Sequence, residues 1–172
     1  MNVLDGSAEA GGAAWIVAHV RPRCEKKLAA YCEMRGIEHY LPLRRETKIY
    51  QRRKVTVYKP LFSGYVFLCM PFSRRVEVLE SGQITRLLQA PDRARLAFEL
   101  EQIRRVLEVN PGISACQSVT AGIRVRITTG PLLGLEGVVE ICKGVGRLVV
   151  NVEMINRGVA VEIDADAVER VE

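Results

Sequence analysis

Ile123-Arg124-Val125-Arg126-Ile127 runs into Gly130-Pro131-Leu132-Leu133-Gly134-Leu135-Glu136-Gly137-Val138-Val139 in the last third of a 172-residue chain. Apolar residues alternate on either side of a glycine-rich turn, the pattern of two strands that fold back on each other. Pro131 fixes φ and the glycines at 130, 134 and 137 let the backbone reverse tightly, so Leu132 and Leu135 are expected to project from the turn. Downstream, Leu148, Val150, Val152 and Met154 alternate with Arg147, Asn151 and Glu153, and Val159, Val161 and Ile163 alternate with Ala160 and Glu162. Both segments read as half-buried strands. Lys143-Gly144-Val145-Gly146 and Asn156-Arg157-Gly158 supply hairpin turns, and Ala167 to Val171 offers a closing strand. Five short strands in about 50 residues predict a small SH3-like β-barrel, an architecture that usually binds rather than catalyses. Glycines at 144, 146 and 158 would interrupt helices at about 1 kcal/mol each, so the β form is expected in the resting protein.

The N-terminal half mixes strands and helices. Trp15 to Val20 is a short apolar strand, and Pro22 opens a helix to Arg35 with Leu28, Tyr31 and Cys32 on one face and Gly36 as C-cap. Glu38 to Leu41 is extended before Pro42, and Glu46 to Tyr50 and Lys54 to Tyr58 flank Gln51-Arg52-Arg53 as a basic-tipped hairpin. Phe62 to Met70 is almost continuously apolar, which places it in the centre of its sheet. Ser73 is expected to cap a short helix ending at Gly82, and Ile84 to Leu88 forms a further strand. Arg93 to Val109 carries Leu96, Leu100, Ile103 and Leu107 on one helical stripe, stopped by Asn110-Pro111-Gly112. The fold class is α+β, with a frayed segment over residues 1–14, a mixed domain over 15–110, a linker over 111–119 and the β-barrel over 120–172.

Charge is concentrated in the first of these domains. Residues 21–59 hold twelve Lys or Arg against four Glu, whereas residues 117–172 hold six against eight acidic residues. A concentrated positive face attracts phosphate backbones through counterion release, while a solvated charged surface would give the same composition. No segment approaches 18 apolar residues and no basic leader with an apolar run opens the chain, so a cytoplasmic protein is expected. The five cysteines are odd in number and form no C-x-x-C pair, which argues against a disulfide framework or a zinc site. Cys24, between Arg23 and Lys26, sits where a helix start could lower a thiol pKa, but the two histidines of the chain offer little as a base. Neither a catalytic constellation, a cofactor nor a metal is expected.

Pro60-Leu61-Phe62-Ser63-Gly64-Tyr65-Val66-Phe67 resembles the F-P-G-Y-V signature of the NusG N-terminal (NGN) domain, with Ser63 in place of the usual proline. Trp15-Ile16-Val17 and Arg21-Pro22-Arg23-x-Glu25-Lys26-Lys27 resemble the first strand and helix of that domain. The Gly-Pro-Leu-x-Gly-x-x-Gly-Val turn, Arg147-Leu148-Val149-Val150 and Val161-Glu162-Ile163-Asp164 resemble the KOW domain that ends NusG-family proteins. The resemblance covers residues 15 to 172. Glu38-x-Tyr40-Leu41-Pro42, the compact hairpin and Pro60-Leu61-Phe62-x-x-Tyr65-x-Phe67 are similar to the specialised RfaH and UpxY-type antiterminators. The His-Thr-Thr element with which RfaH meets the opposite polymerase jaw is missing, its place falling near Val76 and Glu77.

The resemblance implies a non-enzymatic factor, a monomer, that rides on elongating RNA polymerase and suppresses pausing or termination. By match of position, Phe62, Tyr65 and Phe67, with Trp15 nearby, would line the apolar pocket that receives the clamp helices of the largest polymerase subunit; core packing would account for Trp15 and Phe67 equally well. Arg21, Arg23 and Lys27 match the start of the helix that approaches the non-template DNA strand, and Arg52 and Arg53, with Lys54 beside them, would extend that basic track. In the KOW segment Leu132, Leu135, Met154, Ile155 and Arg157 match the face that meets a small-subunit ribosomal protein or the termination factor Rho. The two leucines could instead plug the barrel mouth. A ribosome-associated KOW protein that binds RNA is the alternative, disfavoured by the barrel segment's excess of acidic residues.

Overall fold

The computed structural model describes residues 12–172, so the frayed segment expected at the N-terminus lies, through residue 11, outside the described residues. The chain divides into two compact units, one of residues up to Leu43 with Pro60–Phe98, the other of Arg44–Lys59 with Glu99–Glu172.

In the first unit, β1 (Ala14–Val20), β2 (Glu38–Tyr40), β5 (Tyr65–Met70) and β6 (Ile84–Gln89) form an antiparallel sheet in the order β2-β5-β1-β6. The apolar strand is central, as expected, although it begins at Tyr65 because Phe62 to Tyr65 is a turn in which the Tyr65 N–H donates to the Phe62 carbonyl at 3.2 Å. One face packs Ile16, Ala18, Val20, Val66, Leu68 and Met70 against Leu28 and Cys32 of α1 (Glu25–Met34) and Val78 of α2 (Arg75–Leu79). Tyr31 ties the helices together by donating to the Glu77 carbonyl at 2.7 Å. The first helix starts three residues after Pro22, because Arg23 takes a left-handed φ of 62° that no helix interior allows. Ser73 caps nothing; it lies within a 3-10 turn over Phe72–Arg74.

The second unit holds the hairpin of β3 (Leu43–Tyr50, from its second residue) and β4 (Arg53–Pro60, through Lys59), closed by Gln51 and Arg52, both at positive φ. It also holds α3 (Arg93–Val109) from Glu99 onward, and six antiparallel strands: β7 (Ala115–Gln117), β8 (Arg124–Ile127), β9 (Glu136–Cys142), β10 (Val145–Val152), β11 (Arg157–Glu162) and β12 (Val168–Arg170). Their order is β12-β8-β9-β10-β11-β7, an open sheet in which β12 and β7 are the edges. The five strands read in the sequence are present in β form, but they do not close into a barrel. A sixth strand accounts for this: β7, inside the segment expected as linker, pairs Ala115 to Gln117 with Val159 to Arg157 and occupies the β11 edge that closure would need. Nor is β10 half-buried, since Leu148 to Val152 are all buried. Its polar member Asn151 exchanges two hydrogen bonds with the Val119 backbone, at 3.0 and 2.7 Å, which satisfies its amide inside the unit.

Candidate functional site

The second face of the first sheet carries the aromatic residues singled out in the sequence. Antiparallel register sets Trp15 opposite Cys69, Val17 opposite Phe67 and His19 opposite Tyr65, so these side chains share one face. Along it exposure rises toward one end. Trp15 is 5% exposed and Phe67 fully buried, whereas His19 is exposed and Tyr65 half-buried. Their rings lie 5.2 Å apart at 38°. Phe62 is 2% exposed. Of the four aromatic residues expected to line a pocket, only Tyr65 thus offers substantial surface in the folded chain, and Phe67 is part of the interior.

His19 is held at this end by Thr85, whose hydroxyl donates to the His19 carbonyl and lies 3.0 Å from Nδ1.

The turn before Tyr65 is clamped from two sides. The Gly64 N–H donates to Oε1 of Glu25 at 2.8 Å, and the Gly64 carbonyl accepts from the Val20 N–H at 2.8 Å. Gly64 has φ of 89°, which an L side chain would strain. Glu25, 6% exposed, therefore couples the aromatic motif to the first turn of α1. Sequence reading missed both Glu25 and His19. The signal for Glu25 is a lone acid within the basic run that opens α1, but its partner is 39 residues away.

This coupling brings the basic helix start to the same end of the sheet as Tyr65. Arg21, Arg23 and Lys27 are all exposed, and Arg21 follows directly on the last residue of β1. Arg52 and Arg53 are exposed at the tip of the β3–β4 hairpin in the second unit. There too, Lys59 and Arg44 pair with Glu46 at 2.7 and 3.4 Å and hold its carboxyl below the ordinary range, chiefly through the hydrogen bond from Lys59.

In the C-terminal sheet the turn between β8 and β9 is built differently from expectation. Leu132 is 9% exposed and Leu135 fully buried, while Leu133, between them, is 56% exposed. The backbone explains it: the Leu135 N–H donates to the Leu132 carbonyl at 3.0 Å and the Leu135 carbonyl accepts from the Ile127 N–H at 2.9 Å, which folds both leucines inward. Ile155 is buried, Met154 half-buried and Arg157 exposed.

The thiols do not form a reactive centre. Burial, then the nearby Glu77 carboxylate, pushes Cys32 up to about 11, and burial, then Glu38, does the same to Cys69. Both stay protonated near neutral pH. Cys24 is half-buried at the N-cap position of α1, where it caps no backbone group. Among the described residues no group of His, Cys, Asp and Glu could hold a metal ion, and no helix is long and apolar enough to cross a membrane.

A four-stranded sheet with a half-buried Tyr65 at one end beside a cationic helix start, joined in sequence to an antiparallel sheet with a glycine-rich turn, defines the architecture as mixed α and β. The family model described as transcription termination factor nusG matches residues 13–107, more than half of the chain, and the protein belongs to the NusG family. No curated protein matches the chain. NusG-family proteins are non-enzymatic transcription elongation and termination factors that bind RNA polymerase.

Proposed function

We propose that this protein is a specialised antitermination factor of the RfaH or UpxY type, which binds elongating RNA polymerase and reduces pausing and premature termination. The observation that carries this reading is the end of the first sheet, where His19 and half-exposed Tyr65 adjoin Arg21, Arg23 and Lys27. Tyr65 is the anchor for the clamp helices of the largest subunit, because an amphipathic ring joins large apolar area to a hydroxyl at little entropy cost. Phe62, Phe67 and Trp15 support it from the interior. The basic residues beside it track the phosphates of the displaced non-template strand, with Arg52 and Arg53 extending the contact.

Residues 15–110 are then the polymerase-binding NGN domain and residues 120–172 a KOW-type module, whose sheet is joined by β7 from the segment 111–119 that links the two. The module recruits a small-subunit ribosomal protein or Rho through the turn at 130–136, which presents Leu133 beside buried Leu132 and Leu135, and through Met154, Ile155 and Arg157. Binding that is tighter to the processive polymerase than to the paused state shifts the population toward elongation, and tethering raises the local concentration of the recruited machine.

Transcription with purified polymerase on a template carrying a pause site and a terminator tests this. The wild-type chain should raise read-through and cross-link to the non-template strand. Arg21→Ala with Lys27→Ala should leave polymerase affinity nearly intact but lower the cross-linking, an effect that shrinks as salt rises because counterion release drives it. Unchanged cross-linking at low salt would move the DNA contact to the hairpin tip; unchanged read-through with wild type would refute antitermination.

A further inference from the structure

One edge of the first sheet keeps its backbone groups unpaired beside a cavity. In the order β2-β5-β1-β6, β2 pairs with β5 on one side only. The Val20 N–H donates to the Gly64 carbonyl at 2.8 Å, in the register that sets Ala18 opposite Val66 and Ile16 opposite Leu68. The even-numbered residues of β5 therefore turn their backbone groups to β1, and Phe67 and Cys69 turn theirs to β2. These two face Tyr40 and Glu38, which leaves the N–H and C=O of His39 pointing away from the sheet. The His39 side chain lies on the α1 face, opposite core residue Leu68, where its Nδ1–H donates to the Ile37 carbonyl at 3.0 Å. Next to it opens a cavity of about 340 Å³, walled by His39 and Leu41 and by Lys26, Ala29, Ala30 and Glu33 of α1. Each alanine fills no more than a methyl group's space, so the room for a large side chain lies between Lys26 and Glu33.

We propose that β2 and this cavity form a docking site for an extended segment of a protein partner, added as a further strand with one large apolar side chain seated over Ala29 and Ala30. An extended polypeptide supplies C=O and N–H to the outward groups of His39, and its alternate side chains fall on the α1 face where the cavity lies. Lys26 and Glu33 set opposite charges at the two ends of the cavity, which offers little to a phosphate backbone. The same pair suits a segment with one charge of each sign two positions to either side of its apolar residue. A second copy of this chain is the poorer occupant, because symmetric pairing of β2 with β2 would bring two such cavities side by side and fill neither. The site is on the opposite sheet face from Tyr65 and does not rest on the polymerase reading.

Amide exchange and peptide titration of the full-length chain test this. The His39 amide should exchange freely while the Tyr40 and Phe67 amides are protected; a protected His39 amide overturns the open edge. Acetyl-Lys-Thr-Leu-Thr-Glu-amide, or the peptide of reversed sequence, should shift the His39 and Ala30 resonances saturably and slow exchange at His39. Alanine in place of leucine in the better binder should weaken binding about tenfold or more, since the buried leucine side chain is lost. His39→Pro removes the outward donor, a change that an edge strand tolerates, and should weaken binding about fivefold. Ala30→Trp, at an exposed helix position, fills the cavity and should abolish the preference for leucine; it decides the matter if the proline variant does not fold. No saturable shift with either peptide, or wild-type binding by folded Ala30→Trp, overturns the proposal. So does a His39 resonance that moves with protein concentration alone, which would mean that copies of the chain pair there.

Discussion

Phe67→Ala should destabilise the first unit by about 4 kcal/mol and lower its melting temperature by more than about 10 °C. Phe67 is fully buried on the central strand, paired across β1 with Val17 and across β2 with Tyr40, and among the largest fully buried side chains. Truncation removes the transfer free energy of the ring and leaves a cavity in the middle of a sheet whose neighbours cannot collapse inward without breaking register. Thermal denaturation followed by the fluorescence of Trp15, the one tryptophan, reports on the same sheet face. A shift of only a few degrees would mean that Phe67 is not interior, and would return it to the surface that meets polymerase.

Gly137→Ala should be nearly as damaging to the second unit, for a different reason. A Cβ built at Gly137 lies 2.4 Å from the Val149 carbonyl oxygen and 3.0 Å from Cγ and Cδ1 of Leu148. The first of these is backbone, fixed by the pairing of Val149 with Val138 and Leu148 with Val139. A flexible side chain could yield, but here β9 and β10 must separate, which costs on the order of 3 kcal/mol. Exchange at the Val149 and Val150 amides should accelerate sharply, and a variant that keeps wild-type protection there would contradict the observed strand approach.

How far the sequence foretold this depends on the range of the interaction. The bounds of α3 follow residue for residue from a 3.6-residue period closed by Asn110-Pro111-Gly112, with Asp92 accepting from the Arg95 N–H at 2.9 Å to begin it. The central position of β5 followed from its unbroken apolar run, and the β form of residues 124–162 from alternation and glycine. What escaped was decided across distance. The short strand β7 carries no periodic signal in Ala115-Cys116-Gln117 and exists because the β11 edge accepts it. Burial of Glu99 and Gln102 cannot be read from the helix alone, because their hydrogen-bond partners Glu153 and Glu136 lie 54 and 34 residues away. At the site, Tyr65 was legible as the aromatic residue of its motif, but the turn before it was read as strand, and its clamp by Glu25 depends on a hydrogen bond to a residue 39 positions away that no local pattern encodes.

The central claim is that the half-exposed ring of Tyr65, beside the basic start of α1, anchors this protein to RNA polymerase. Equilibrium binding of the full-length chain to a reconstituted elongation complex tests it, with Tyr65→Ala as the comparison and circular dichroism establishing that the variant is folded. Loss of a central aromatic anchor costs about 2 kcal/mol or more, so the folded variant should bind roughly 30-fold more weakly. A folded Tyr65→Ala chain that binds the complex as wild type does, or a wild-type chain that does not bind it, would contradict the account.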